Sequence, residues 1–236
     1  GLVVVKIDFQ LFIFINNSKL LKMDLFKETS AWHNQLEPLL KKYQGKKHPL
    51  DYNNVYQLMV MVILSAQDSD ANINKIAPQF FGTYPNLESL AASNLEAIIS
   101  QITKVRNFNT KASWLLEIAQ TLKTDANIPN TIESLTALKG IGRKSANVIM
   151  RESKATAEGI IADLHVIRVA PRIGLTPAFN DGNRIEKALM HVLDKTIWGE
   201  IGMAISFLGR ETCRPTNPKC TECVVNTCCQ FYNNTI

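Results

Sequence analysis

The 236-residue chain lacks the composition that marks several special classes of protein. It has only 11 glycines and 9 prolines, which excludes a collagen-like chain and a disordered chain rich in these residues. Its most apolar run, residues 2–15, is too short to cross a bilayer and is interrupted by Lys6, Asp8 and Gln10. The 46% hydrophobic fraction instead indicates a folded globular protein with a sizeable core and no membrane partner.

The chain also has no large excess of positive or of negative charge. The chain has 26 lysines and arginines against 21 aspartates and glutamates, which gives a net charge of +5. A mild positive charge permits a nucleic acid or another phosphate partner but does not require one.

Cysteine is absent from residues 1–212, and all five cysteines lie in the short segment 213–229. They are Cys213, Cys220, Cys223, Cys228 and Cys229. A disulfide scaffold would distribute its cysteines so as to join distant segments. The cluster therefore indicates a metal site in a protein of a reducing compartment, such as the cytoplasm.

The N-terminal residues differ in composition from the rest of the chain. There is no initial methionine, and Met23 opens a charged amphipathic stretch after the apolar residues 1–22. We expect the functional protein to begin near Met23, so that residues 1–22 are an N-terminal extension that activity does not need.

Apolar residues recur with helical spacing along most of the chain. One example is the stripe formed by Ile185, Ala188, Leu189 and Val192. The run LMVMVIL at 58–64 is apolar on all sides, and we interpret it as a buried helix because no partner strands accompany it. Capping boxes are predicted at Ser93–Glu96 and at Asn130–Glu133. The fold class predicted is all-α.

The most specific local pattern is the segment Lys139-Gly140-Ile141-Gly142-Arg143, which lies between two predicted helices. Glycines at the start of a helix let backbone N–H groups approach an anion, and the DNA backbone is a natural source of phosphate. Residues 139–154 contain five basic residues and one acidic residue. The alternative is an ordinary glycine-containing connection with a solvated basic face.

Three segments resemble signatures of the endonuclease III family of DNA glycosylases. LKGIGRKSANVIM (138–150) is similar to its helix–hairpin–helix, IIADLHVIRVAPRIGL (160–175) to its aspartate segment, and ILSAQDSD (63–70) to its third signature. The resemblance covers roughly residues 45–231. It implies two helical domains with DNA bound in the cleft between them. Residues 48–157 would form a six-helix barrel domain with the hairpin, and residues 23–47 and 158–231 an iron–sulfur cluster domain.

The resemblance assigns catalytic roles to Lys144 and Asp163. Lys144 stands at the position of the family's nucleophile, an amine that attacks the deoxyribose of a damaged nucleotide; its alternative is a surface lysine that binds phosphate. A nucleophilic amine must be uncharged, and Arg143 and Arg151 are candidate neighbours that would lower its pKa. Asp163 could also serve as a helix N-cap. Ala162 and Leu164 flank it where the family more often has Val and Thr.

The cysteine spacing Cys213-x6-Cys220-x2-Cys223-x5-Cys229 is similar to that of the family's [4Fe–4S] cluster. Spacing without the family leaves tetrahedral zinc open. Cys228 could substitute for Cys229, but the family spacing selects Cys229. The resemblance also implies that the loop with Arg214 and Lys219 contacts the DNA backbone.

The resemblance implies that Gln67 fills the gap left in DNA when a nucleotide is extruded. Its alternative is an ordinary polar residue at a helix end. A second loop, VRNFNTKA, has Arg106-Asn107 where the family commonly has Gly-Leu, so that an apolar wedge has become the polar Asn107.

The resemblance implies a monomeric, bifunctional glycosylase and lyase. It would remove oxidised pyrimidines from double-stranded DNA and cleave abasic sites. Two alternatives stay open: an enzyme of altered damage range, which Asn107 suggests, and a DNA-binding module without catalysis.

Overall fold

The computed structural model describes residues 32–235, which form α-helices and short 3₁₀ turns and contain no strand. The helices are α1 (32–42), α2 (Val55–Ser65), α3 (Asp70–Thr83), α4 (Leu87–Ala91), α5 (Leu95–Ile102), α6 (Phe108–Leu122), α7 (Ile132–Thr136), α8 (Arg143–Glu152), α9 (Leu164–Ile173), α10 (Gly182–Val192), α11 (Trp198–Glu211) and α12 (Gln230–Asn233). The all-α prediction is confirmed. The predicted extension at 1–22, and residues 23–31 of the predicted cluster domain, lie outside the described residues.

The apolar run at 58–64 is a helix, as predicted, because it lies within α2 and every residue of it is buried. Helix α2 packs against α3, α6 and α8, and α6 packs in turn against α4 and α5. A helix that is apolar all round must be surrounded by other elements, and this arrangement surrounds it.

Helix α8 connects this group of helices to the C-terminal ones. It packs against α2 and α7 on one side and against α10 and α11 on the other. Helix α11 also packs along α9. Buried side chains from all these helices form one continuous apolar core. The division into domains at 48–157 and 158–231 stays a prediction.

Two predicted helix starts are wrong by one residue. Helix α5 is capped by Asn94, which accepts from the Ala97 N–H, and α7 by Thr131, which accepts from the Ser134 N–H. Each true cap directly follows the residue that we predicted, and Asn and Thr are themselves good N-caps. No helix in residues 32–235 is long and apolar enough to cross a membrane.

Candidate functional site

A cavity of about 610 Å³ lies where the C-terminal end of α2 meets the N-terminal ends of α8 and α9. Lys144 and Asp163, the two predicted catalytic residues, both line it. Gln67 lies on its edge beyond α2, and Arg210 of α11 closes another side. The structure therefore brings together residues that are far apart in the sequence.

Lys144 stands in the first turn of α8 and is exposed to solvent in the cavity. The protein atoms that line the cavity still desolvate its amine in part, and this desolvation lowers the pKa of the amine below the ordinary value for lysine. The carboxylates of Asp163 and Asp70 oppose this effect, and the guanidinium of Arg210 adds to it. The prediction that Arg143 and Arg151 supply the nearby positive charge is wrong.

Both of those arginines are held by carboxylates. Arg143 Nε donates to Glu186 Oε2 at 2.6 Å, and Arg151 donates to Glu152 and Glu200. Arg210 is the arginine that acts on Lys144, and it reaches the cavity from a helix 66 positions further along the chain.

Glu186 is a buried carboxylate that fixes the start of α8. Its side chain is only 2% exposed, and besides Arg143 it accepts from Asn147 Nδ2 at 2.8 Å and from the Ile160 N–H at 3.3 Å. A buried charge is stable only when it is paired and hydrogen-bonded, as it is here. Glu186 thus joins α10 to α8 and to the segment before Asp163.

Asp163 caps helix α9 and also lines the cavity. Its Oδ1 accepts from the N–H groups of His165 and Val166, which caps α9. Its Oδ2 accepts from Ser206 Oγ at 2.6 Å and lies 3.8 Å from Arg210 Nη2. These contacts fix the carboxylate in one orientation.

Two further polar residues line the cavity. Asp70, in the first turn of α3, accepts from Arg210 Nη1 at 3.5 Å. Burial lowers the pKa of His48 to about 4, with the positive charge of Lys144 acting in the same direction. His48 is therefore neutral at neutral pH and adds no positive charge to the site.

The two glycines of the hairpin between α7 and α8 have different surroundings. Gly140 has a φ of +82°, and a Cβ there would lie 2.5 Å from Trp114 of α6, so the fold requires glycine. Gly142 has a φ of −85° and open space around it. Of the two glycines, only Gly140 has a positive φ. Ile141 is buried, and Lys139 pairs with Glu117 at 2.8 Å.

Helix α8 begins at this hairpin without a side-chain cap. Gly142 is its N-cap, no side chain accepts from its first N–H groups, and its first turn contains no acidic residue. Free N–H groups at a helix N-terminus favour an anion.

Gln67 and Asn107 lie on adjacent exposed loops, and their side chains meet. Asn107 Nδ2 donates to Gln67 Oε1 at 3.4 Å. Both residues have left-handed backbone conformations, with φ of 59° and 57°. Nothing in the sequence patterns pairs these two residues.

Four cysteines line one small cavity near the C-terminal end of the described residues. They are Cys213, Cys220, Cys223 and Cys229, and Cys228 is not among the residues that line it. Burial raises the pKa of the Cys223 thiol, and the neighbouring Cys229, Cys213 and Cys220 raise it further, which reflects their closeness. No three His, Cys, Asp or Glu side chains within residues 32–235 are grouped so that they could hold a single metal ion.

Arg172 of α9 holds the cysteine segment against the helices. Its Nη1 donates to Arg214 O at 2.8 Å and contacts Cys213 Sγ at 3.6 Å, while its own carbonyl faces Cys229 Sγ at 3.4 Å. Arg214 and Lys219 themselves are exposed. They do not line the cavity that contains Lys144.

Comparison with known proteins places these features in a family. The family model described as "HhH-GPD superfamily base excision DNA repair protein" matches residues 60–195. Endonuclease III of Synechocystis sp. is 34% identical over 193 residues, which cover 81% of this chain and 88% of that protein. The chain belongs to the endonuclease III family. It is therefore a DNA glycosylase of base excision repair, and the resemblance seen in the sequence is confirmed.

Other members of the endonuclease III family are similar to this chain over most of its length. The enzyme of Haemophilus influenzae is 30% identical over 205 residues, 84% of this chain and 95% of that protein. A solved structure of a trapped endonuclease III–DNA covalent intermediate matches with a TM-score of 0.76 at 27% identity. That match covers 88% of this chain and 98% of the solved one, which supports DNA as the partner.

Sequence reasoning missed several residues that shape these sites. They are Asp70, Lys111, Arg172, Glu186, Ser206 and Arg210. Each acts through a partner that is distant in the sequence, as Arg210 does through Asp70, 140 positions away. Asp70, Lys111 and Arg172 lie within the segments ILSAQDSD, VRNFNTKA and IIADLHVIRVAPRIGL, but those segments do not indicate the partners of these residues.

Proposed function

We propose that this glycosylase is bifunctional: it removes oxidised pyrimidines from double-stranded DNA and cleaves the resulting abasic site by β-elimination. The observation that carries the proposal is that Lys144 and Asp163 line one common cavity, in which partial desolvation favours an uncharged amine. The volume of about 610 Å³ is in the range of sites that hold small ligands, which suits one extruded nucleotide.

Lys144 acts as the nucleophile. Its unprotonated amine bonds to C1′ of the deoxyribose as the bond from C1′ to the base breaks, and the base leaves with the bonding electrons and takes up the proton that the attacking amine loses. The C1′–O4′ bond then breaks, O4′ takes a proton from solvent, and the product is a protonated Schiff base between Nζ and C1′. The Schiff base makes the C2′ proton acidic, and loss of that proton expels the 3′ phosphate.

Asp163 stabilises the positive charge that develops at C1′ and then on the Schiff base. A carboxylate facing the cavity can also move protons between these steps. Its contacts with the α9 N-terminus, with Ser206 and with Arg210 leave it little freedom to turn away, so it is ready for this role.

The hairpin binds the DNA backbone beside the cavity. The uncapped N-terminus of α8 and the open space at Gly142 leave room for a phosphate to approach the N–H groups. Lys139 and Arg143 add positive charge. Gln67 and Asn107 enter the gap that the extruded nucleotide leaves, and Arg214 and Lys219 contact the backbone elsewhere.

The four cysteines that share a cavity would hold a [4Fe–4S] cluster. The donor set fits, since four thiolates suit such a cluster and the fifth cysteine lies outside the cavity. When bound, the cluster keeps segment 213–229 in shape. Arg172, which contacts Cys213 Sγ, joins that segment to α9.

Borohydride trapping on an abasic-site duplex tests the proposal. Reduction of the Schiff base should give a stable protein–DNA adduct with the unmodified protein, and none with Lys144→Ala. Lys187→Ala, which removes an exposed lysine on α10, is the matched control and should trap normally.

The alternative functions give different results. A DNA-binding module without catalysis would bind DNA in a salt-sensitive manner and form no adduct. An enzyme of altered damage range would trap on abasic sites yet fail to excise oxidised pyrimidines from a panel of damaged duplexes.

A further inference from the structure

Lys111 of α6 is a buried lysine that the chemistry of the cavity does not use. It is only 2% exposed, and its Nζ donates to the carbonyls of Leu64 and Ala66, both at 2.7 Å. These carbonyls lie at the C-terminal end of α2, directly before Gln67. A buried ammonium is tolerated when it is hydrogen-bonded, and here it satisfies carbonyls that the helix end leaves free.

Asp68, the residue after Gln67, joins the same loop to its neighbour. Its carboxylate accepts from the Arg106 N–H at 2.9 Å and from Asn72 Nδ2 at 3.0 Å. The Asn72 amide also donates to Lys104 O at 3.2 Å. Hydrogen bonds from the Arg106 and Ser69 backbones outweigh burial and hold the pKa of Asp68 below its usual value. The loop 66–69 is therefore fixed to the loop 104–107.

These contacts enclose two residues in an unfavourable backbone conformation. Gln67 and Asn107 both have positive φ, which is uncommon outside glycine. Such a conformation persists only where the surrounding structure holds it. Lys111 stands in the first turn of α6, the helix that Asn107 precedes, and its amine donates to the carbonyl of Ala66, the residue before Gln67. Lys111 therefore connects the loop of Gln67 with the loop of Asn107.

We propose that Lys111 is a positioning residue that, together with Asp68, holds Gln67 and Asn107 as one two-pronged unit for insertion into the DNA duplex. This inference rests on the proposed function, because it assigns a device to the step in which the nucleotide leaves the stack. Lys111 does not line the cavity and is not required for the amine chemistry.

The test separates insertion from chemistry with two substrates. Excision of a damaged base from a duplex requires extrusion, whereas trapping on a single-stranded abasic site does not. Lys111→Met keeps the length of the side chain and removes its donors. It should slow duplex excision on the order of 10- to 100-fold, since small misplacements of a functional group have effects of that size. Single-strand trapping should change less than about twofold.

A double-mutant cycle distinguishes positioning from general stability. In a Gln67→Ala/Asn107→Ala background, Lys111→Met should slow duplex excision by less than about twofold more, because its targets are gone. An undiminished loss in that background, or an equal loss on both substrates, would overturn the inference. Fluorescence of 2-aminopurine opposite the lesion reports insertion directly and should fall with Lys111→Met.

Two further variants keep the test decisive. Lys111→Arg retains donors and should recover part of the duplex activity, and Lys75→Met, at an exposed lysine of α3, should leave both substrates unaffected. If Lys111→Met does not fold, Asp68→Asn weakens the other contacts that fix loop 66–69 to loop 104–107 and should give the same duplex-specific loss. Failure of the unmodified protein to trap on an abasic-site duplex would instead contradict the proposed function.

Discussion

The cavity and the cysteine segment are held together by different forces. The cavity walls are the ends of α2, α8, α9 and α11, and each of these helices contributes several buried residues to the apolar core. Segment 213–229 contains two short 3₁₀ turns joined by irregular backbone, and within it only Val225 and Cys229 are buried. Packing therefore fixes the geometry of the cavity. The cysteine segment depends on the polar contacts of Arg172 and on the proposed cluster.

The largest expected effect concerns the cavity and the reaction rates that depend on Asp163. Asp163→Asn should lower the excision and strand-cleavage rates on the order of 10²–10⁴-fold, because the carboxylate's charge is lost. Asn caps helices about as well as Asp, so the melting temperature should change little. Single-turnover rates and thermal unfolding measure both. Rates near those of the unmodified protein, or a collapse in stability, would show that Asp163 is only a structural cap.

The next prediction breaks the cysteine segment and leaves the cavity intact. Cys223→Ser should lose most of the iron, from about four atoms per chain, and become sensitive to trypsin at Lys219. Cys228→Ser, at the cysteine outside the shared cavity, should keep its iron. Iron analysis and the visible absorbance of anaerobically purified protein measure this. One zinc per chain in the unmodified protein, or iron loss in Cys228→Ser, would contradict the assignment.

A smaller effect concerns the charges around Lys144. Because trapping needs the uncharged amine, its rate should rise with pH through the lowered pKa of Lys144. Arg210→Gln removes a charge that lowers this pKa, so the profile should move to higher pH. Asp70→Asn removes a carboxylate that raises it, so the profile should move to lower pH. Shifts in the same direction for both variants would show that these charges do not set the pKa of Lys144.

The smallest expected effect concerns Leu164. This residue is 79% exposed at the edge of the cavity, directly after Asp163, and within residues 32–235 it and Phe231 are the two exposed large apolar residues. Leu164→Thr should change the relative excision rates of different damaged bases by a few-fold, through lost apolar contact with the extruded nucleotide. Equal changes for every base, or none, would place Leu164 outside the contact surface.

Local patterns predicted the fold well. The run at 58–64 could be assigned to a buried helix because its composition allowed few other environments, and α2 confirms it. Helix starts were less secure, because Ser93 and Asn94 are both suitable caps and only tertiary packing selects between them. Asn130 and Thr131 repeat the same ambiguity.

The candidate site, too, could be predicted only in part from the sequence. The motifs identified Lys144 and Asp163, and the structure places both at one cavity. The motifs could not identify Arg210 as the charged neighbour of Lys144, because the contact joins helices that are distant in sequence. Arg143 and Arg151 are nearer in the chain, yet carboxylates from α8, α10 and α11 bind them instead. Sequence proximity is a poor guide to electrostatic neighbours.

The most direct measurement is peptide mapping of the borohydride-reduced adduct. The protein is trapped on an abasic-site duplex, the conjugate is digested with nuclease and protease, and the modified residue is located by mass spectrometry. We predict that the deoxyribose remnant is attached to Nζ of Lys144 alone. Attachment to another lysine or to the N-terminal amine, or the absence of any modified peptide, would contradict the account.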